Sequence, residues 1–171
     1  MARVDDEYKR CGTANIFAAV EPLTGHSIVQ VTETRTAVDF AHFLRAISDE
    51  YPTTTAIVLV MDNLSTHVLS CLYEAPRRVS RSASFEPKEA RLLVERFELH
   101  YTPKHGSWLN VAEIFLSLLS RECLDQRIGT LAQLRSDVAA WKSSRPSAKV
   151  NWRFTAADAR IKLRRLYPAI S

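Results

Sequence analysis

Cysteines are few in this chain of 171 residues, and long hydrophobic runs are missing. Cys11, Cys71 and Cys123 are odd in number and lack CxxC spacing, which argues against both a disulfide framework and a structural zinc site. We therefore expect buried thiols. The longest apolar run, residues 56–61, is far shorter than the roughly 20 residues that span a bilayer. No basic and apolar leader opens the chain, so we expect a cytoplasmic protein without membrane contact.

The chain also lacks internal repeats at the periods typical of repeat proteins. Apolar residues make up 46% and charged residues 25% of the sequence, a balance that excludes disordered and fibrous classes and allows a real core. The length predicts one ordinary domain with an appended tail.

Charge is unevenly distributed although the net charge is only +4. Residues 1–120 carry 12 Lys/Arg and 15 Asp/Glu, whereas residues 121–171 carry 11 and 4. A basic segment of this kind can hold nucleic acid by neutralising phosphates. A solvated basic helix has the same composition, so charge alone leaves both interpretations open.

The first half of the chain predicts a hairpin, a helix and a buried strand. Runs rich in β-formers at residues 15–20 and 27–32 flank a turn that contains Pro and Gly. Thr36 and Asp39 have the spacing of a capping box for an amphipathic helix. Residues 56–61 are apolar at every position, which predicts a strand buried on both faces, as in a parallel sheet.

The second half predicts one more strand and four helices. Helical spacing covers residues 86–96, and the alternation in residues 97–101 suggests a strand nearer the sheet edge. Further helices are predicted over residues 107–124, over residues 130–141 and from residue 155 onward. The resulting order, β-β-α-β-α-β-α-α-α, is typical of an α/β protein.

Two acidic residues are candidates for chemistry. Asp62 follows the predicted buried strand, where α/β folds place their sites, although an Asp there can also cap the next turn. Glu113 lies on a helix that is apolar around most of its circumference. Only Asn110, Glu113, Ser117 and Ser120 form a polar stripe, so Glu113 faces either a solvated seam or a polar site.

A strand-end Asp and a helical Glu can converge on a hard divalent cation, which takes oxygen ligands and offsets their repulsion. Two metals held in this way would activate a water or hydroxyl and stabilise the leaving oxygen in attack on a phosphodiester. A metal-dependent reaction on nucleic acid is therefore one hypothesis for the pair.

The segments around these acids carry a wider resemblance. Residues 61–67 read MDNLSTH, and residues 100–113 read HYTPKHGSWLNVAE. They resemble the catalytic core of DDE transposases from bacterial insertion sequences of the mariner-like type, the insertion sequence 630 family. Similar shorter segments are residues 3–5, 12–17, 119–125 and 152–168.

The resemblance implies a ribonuclease-H-like fold, a mixed sheet flanked by helices, in which three acids bind two Mg²⁺ ions, with Mn²⁺ as a substitute. It also implies that water is the nucleophile for cleavage at the ends of the transposable element, and that a freed 3′-hydroxyl then attacks target DNA. By motif match, Asp62 is the second acid and Glu113 the third, both as metal ligands. The implied partners are the transposon ends, the target DNA, and a second copy or a full-length transposase.

The resemblance also suggests roles for neighbouring residues. Lys104, His105 and Trp108 precede Glu113 in the segment that is expected to lead into its helix. There they would either contact DNA or only pack within the loop. For His67, orienting the site and a structural hydrogen bond are the two alternatives. Supporting roles fall to Asn63, His67 and Asn110.

The chain departs from the family's pattern at several points. The family's first acid lies on a central strand upstream of the match to residues 3–5, and we expect that strand to be missing here, leaving unpaired edges. Asp5, Asp6 and Glu7 are expected to be solvated rather than to replace that acid. The Arg-rich stretch 77–84 resembles a surface insertion. A helix-turn-helix domain for sequence-specific DNA binding is also expected to be absent.

We predict a catalytic core over residues 1–125 and a basic helical extension over residues 126–171. The predicted function is DNA cleavage and strand transfer by a truncated or split transposase. An inactive remnant that binds DNA or a transposase is the alternative. A different ribonuclease-H-like nuclease ranks below both, because it is not expected to carry the HYTPKHGSWLN stretch.

Overall fold

A computed structural model describes residues 12–62, 72, 85–103, 110–145, 147, 149, 151, 153 and 155–164. Four strands and five helices lie in these residues, in the predicted order, so the mixed α/β architecture is confirmed. The elements are β1 (Asn15–Val20), β2 (Ser27–Thr32), α1 (Ala37–Glu50), β3 (Ile57–Met61), α2 (Pro87–Arg96), β4 (Phe97–Tyr101), α3 (Val111–Glu122), α4 (Leu131–Ser144) and α5 (Ala156–Leu163).

The first two strands form the predicted antiparallel hairpin, in which Phe17 lies opposite Gln30. Its turn is closed by the Glu21 N–H, which donates to the His26 carbonyl at 2.8 Å. Gly25 has a φ of 76° in this turn, a conformation that glycine adopts without the steric cost of a Cβ.

This hairpin packs on both of its faces. Phe17 joins a core cluster with α1, whereas Ile16 and Val31 point to the opposite face and join a second cluster with α3 and α4. Successive side chains of a strand point to opposite faces, so both clusters draw on the same two strands. The hairpin is therefore the middle layer between α1 on one side and α3 with α4 on the other.

The third and fourth strands form a parallel pair. Met61 lies opposite Tyr101, and the Thr102 N–H extends the ladder by donating to the Met61 carbonyl at 2.8 Å. One face of the pair packs against the first core cluster, to which Met61 and Phe97 contribute buried side chains. Within the described residues no ladder joins this pair to the hairpin, so the strands form two sheets of two strands.

The prediction that β3 is buried on both faces is wrong. Val58 and Val60 are 59% and 56% exposed, while Met61 on the opposite face is 6% exposed. The reason is tertiary: no described helix packs on the Val58 side of the parallel pair. An apolar side chain is buried only where another element covers it.

Helix α1 begins as predicted, at a capping box. The Thr36 N–H donates to the Asp39 carboxylate at 2.8 Å, and the Asp39 N–H donates to the Thr36 hydroxyl oxygen at 3.2 Å. Partial burial acts to raise the pKa of Asp39, but hydrogen bonds from Thr34 and Thr36 outweigh it and hold that pKa below its usual value.

The later helices differ from their predicted bounds and burial. Helix α3 begins at Val111, and although it is apolar around most of its circumference, it is not buried on every side. Leu119 is fully buried, whereas Ile114 is 49% exposed, because α3 is covered by the hairpin and α4 but not on its remaining side. Helix α4 continues one turn beyond the predicted end, to Ser144.

The cysteine prediction is confirmed at the position that the structure describes. Cys123 is a buried free thiol, and burial together with nearby Asp137 raises its pKa. Cys11, Cys71 and the Arg-rich stretch 77–84 lie outside the described residues. Among the helices that are described, none is both long and apolar enough to cross a membrane.

Candidate active site

Asp62 lies where the sequence predicts it, directly after β3 at the carboxyl end of the parallel pair. Its side chain is half-buried. The ladder bond from Thr102 to Met61 places the chain leaving β4 beside the chain leaving β3. This edge is where a parallel sheet presents functional side chains, because the loops that follow adjacent strands meet there.

The next described helix after β4 is α3, which carries Glu113. Asn110 is the N-cap of this helix, and its side-chain oxygen accepts a hydrogen bond from the Ala112 N–H at 3.0 Å. Asn is among the preferred N-cap residues because its oxygen satisfies a first-turn N–H that has no helical partner. Asn110 therefore fixes the first turn of α3, and its predicted supporting role at the site stays a prediction.

Glu113 is the third residue of α3, with an exposed side chain. Asp39 in α1 and Asp158 in α5 occupy the same position in their helices, and both carboxylates bond back to the backbone N–H of the capping threonine. Glu113 makes no such bond in the described part of the chain, nor an ion pair there. Its carboxylate is therefore available for a ligand, and the polar stripe of α3 faces solvent.

Helix α3 is held at its other end by a cluster of side chains that no sequence pattern predicts. Glu122 accepts a hydrogen bond from Trp141 Nε1 at 3.0 Å and an ion-paired bond from Arg145. The Arg145 guanidinium also lies 4.9 Å from the centre of the Trp141 ring, a cation–π geometry. The hydrogen bond from Arg145, and to a smaller extent the one from Trp141, holds the pKa of Glu122 below its usual value.

This cluster links α3 to α4 and so fixes the direction in which α3 leaves the candidate site. Phe115, two residues after Glu113, packs edge-on against the Trp141 ring at a centroid distance of 5.4 Å. Only the tertiary contact makes Glu122 and Arg145 partners, because they lie 23 residues apart in the chain. The one available signal in the sequence was a Trp at helical spacing in α4, a residue type that usually packs and donates its N–H.

Several predicted site residues lie outside the described part of the chain. These are Asn63, His67, Lys104, His105 and Trp108. Their predicted contacts with DNA or with the acids stay predictions.

The donor chemistry of the two described acids fits a divalent ion. Asp62 and Glu113 offer carboxylate oxygens, which Mg²⁺ prefers as ligands. No group of three or more His, Cys, Asp or Glu side chains in the described ranges could hold a metal. Asp5, Asp6 and Glu7 lie outside those ranges.

Comparison with known families decides the class of the chain. A family model described as DDE superfamily endonuclease matches residues 2–135, which include both Asp62 and Glu113. The chain belongs to the DDE superfamily endonucleases. No curated protein and no solved structure gave a match.

DDE superfamily endonucleases are nucleases of the transposase type that act on DNA and generally use divalent metal ions. The chain therefore has a domain of transposase type. The matched range ends within α4, so α5 and the segment before it lie beyond the part that defines the family.

Proposed function

We propose that the chain is the catalytic part of a transposase of the mariner-like insertion sequence 630 type, which cuts DNA and joins the freed end to a target. Residues 1–125 would form the catalytic core, and residues 126–171 a basic extension. The resemblance of the segments around Asp62 and Glu113 supports this finer assignment within the DDE superfamily.

The observation that carries the proposal is the state of the Glu113 carboxylate. Three other first-turn acids occupy the same helical position: Asp39 and Asp158 serve as caps, and Glu89 pairs with Arg45. In α3 the cap is Asn110, and Glu113 makes neither kind of bond among the described residues. A carboxylate that its own helix does not use, inside the matched family range, is what a metal ligand requires.

In this mechanism the chain's own residues hold the divalent ions and orient the DNA. Asp62, set by the end of β3, and Glu113, set by the capped first turn of α3, would each contribute a carboxylate to divalent ions. Bound ions would activate a water or a 3′-hydroxyl and stabilise the leaving oxygen of the phosphodiester. Lys104, His105 and Trp108 would hold DNA from the loop that enters α3.

A nicking assay with the full chain tests the assignment. The substrate is supercoiled plasmid DNA with Mg²⁺ or Mn²⁺, and Glu113→Gln and Asp62→Asn are compared with the unaltered chain. Both variants keep side-chain size but lose the charge that binds the metal. Because changes next to a metal ligand already cost 10- to 100-fold, we expect nicking to fall by at least about a hundredfold.

Glu95→Gln is the matched control. Glu95 is an exposed acid on α2 that pairs with Arg91, and its loss should leave nicking unchanged. Nicking that is indifferent to Glu113→Gln would refute the metal-ligand assignment. Retention of DNA without nicking by the unaltered chain would favour the alternative, a remnant that binds DNA or a full-length transposase.

A further inference from the structure

Helix α5 stands out because none of the side chains that the structure describes on it is buried. Ile161 is 76% exposed, and Arg160 and Arg164 are exposed as well. The helix has eight residues, fewer than the about 12–15 at which an isolated helix is even marginally stable in water. Helices in proteins gain most of their stability from a packed face. A partner that covers α5 would therefore stabilise it.

Positive charge dominates this part of the chain. Residues 149–164 contain five Lys/Arg and a single acid, Asp158, so their net charge is +4. That acid is already occupied, because its carboxylate accepts hydrogen bonds from the Thr155 N–H at 2.8 Å and from the Thr155 hydroxyl at 2.7 Å. The acid is thus held at the start of the helix.

Arg164 is the C-cap residue of α5 and keeps right-handed helical backbone angles, so it lies one turn beyond Arg160 and shares a face with Ile161 and Ala157. Neither guanidinium forms an ion pair within the described ranges. Arginines elsewhere in those ranges do pair with acids: Arg45 with Asp49, Arg91 with Glu95, and Arg145 with Glu122. The α5 face therefore presents two guanidinium groups without a carboxylate partner from the described chain.

We propose that this face of α5, formed by Ala157, Arg160, Ile161 and Arg164, binds the phosphate backbone of duplex DNA without reading its sequence. Guanidinium groups form paired, charge-assisted hydrogen bonds with phosphate. This inference rests on the proposed function, which makes DNA the substrate. It adds the surface by which the chain holds that DNA. An acidic protein surface is the competing partner, and the DNA substrate of the family favours duplex DNA.

Fluorescence anisotropy with a duplex of about 30 base pairs tests the proposal. Affinity of the full chain is measured in EDTA between about 50 and 200 mM salt, where the logarithm of affinity falls linearly with that of salt concentration. Arg160→Gln with Arg164→Gln removes two phosphate contacts, each contributing about 0.9 to the slope. Compared with the unaltered chain, we expect the salt dependence to become shallower by about 1.8 in slope and the affinity to fall by roughly tenfold to a hundredfold.

Lys88→Gln with Arg91→Gln on α2 is the matched control, because it removes the same charge from the exposed face of another helix. Gln has nearly the helix propensity of Arg, and circular dichroism checks that both variants fold. Equal losses in the two variants would mean diffuse attraction, and an unchanged slope in the α5 variant would point to a protein partner. Either result overturns the proposal.

Because binding is measured without divalent metal, its outcome is independent of nicking. A chain that binds through α5 but never nicks DNA would keep this inference and lose the proposed function. If the chain nicks DNA but the α5 variant keeps its full salt dependence, the proposed function stands and this inference is wrong.

Discussion

At the scale of single residues, Arg96 closes the carboxyl end of α1 from a different element. It is the last residue of α2, and its guanidinium donates to the carbonyls of Ser48 and Thr54 at 3.0 Å each and to the carbonyl of Tyr51. The last carbonyls of a helix have no partner within the helix. Backbone bonds from the Tyr51 N–H to the Ser48 carbonyl at 3.3 Å and from the Thr54 N–H to the Tyr51 carbonyl at 3.2 Å also close this turn. Arg96 adds charged donors to these carbonyls and ties the end of α1 to α2.

Replacing Arg96 by Ala should lower the free energy of unfolding by about 2 kcal/mol, the usual scale for hydrogen bonds that involve a charged group. Arg96→Lys should recover only part of the loss, because an ammonium group cannot spread its donors over three carbonyls. Urea denaturation followed by circular dichroism measures both changes.

Arg91→Ala is the control for that series, since Arg91 lies on the same helix in an exposed pair with Glu95. Such pairs contribute little, so its unfolding free energy should change by less than about 0.5 kcal/mol. If the Arg91 and Arg96 variants lost the same stability, the capping role of Arg96 would be wrong.

The residues of the candidate site and the residues that stabilise its surroundings differ in how visible they are in the sequence. Asp62 and Glu113 could be singled out because each is a charged residue in an apolar setting. Asp62 directly follows an apolar strand, and Glu113 lies on a mostly apolar helix. Arg96 could not, because its acceptors lie 42 to 48 residues away and, apart from the Ser48 hydroxyl, are backbone carbonyls, which every residue type has. Residue type identifies a conflict but not a distant partner.

At the scale of elements, β3 shows what an apolar run does and does not determine. The run predicted a strand correctly, since its β-branched residues favour that conformation. It also predicted burial on both faces, and only the face that carries Met61 is covered. Side-chain type sets the tendency to avoid water, while burial needs an element on each face.

This difference between the two faces of β3 predicts different costs of substitution. Val60→Thr, a change of nearly equal shape at a 56% exposed position, should alter the free energy of unfolding by less than about 0.5 kcal/mol. Met61→Ala at a 6% exposed position should cost about 2–4 kcal/mol through a lost contact and a cavity. Urea denaturation of the two variants measures both costs. Equal costs would mean that the Val60 face is covered in solution.

At the scale of the whole molecule, the hairpin couples two cores. Phe17 and Val31 lie on the same pair of strands but belong to different clusters, one with α1 and one with α3 and α4. Loss of the hairpin would therefore remove one wall from each cluster. We expect the two clusters to unfold together.

Leu119→Ala tests this coupling. Leu119 is fully buried in the α3 and α4 cluster, and its truncation should cost about 3 kcal/mol. Hydrogen exchange should then speed up to a similar extent in α1 and α4, because both lose protection through the same global opening. Ser117→Ala, an exposed change on the same helix, should leave exchange nearly unchanged. Faster exchange confined to α3 and α4 would show that the clusters open independently.

The sequence by itself determined the order of the strands and helices and the capping box of α1, and it singled out the two acids that we propose for the site. Periodicity, capping residues and strand-end position are local properties, so they can be read without the fold. Only the tertiary structure decided that the strands pair as two sheets, that Val58 and Val60 face solvent, and that Glu122 joins Trp141 and Arg145. These outcomes depend on which distant segment arrives beside a given side chain, and packing, not local sequence, sets that choice.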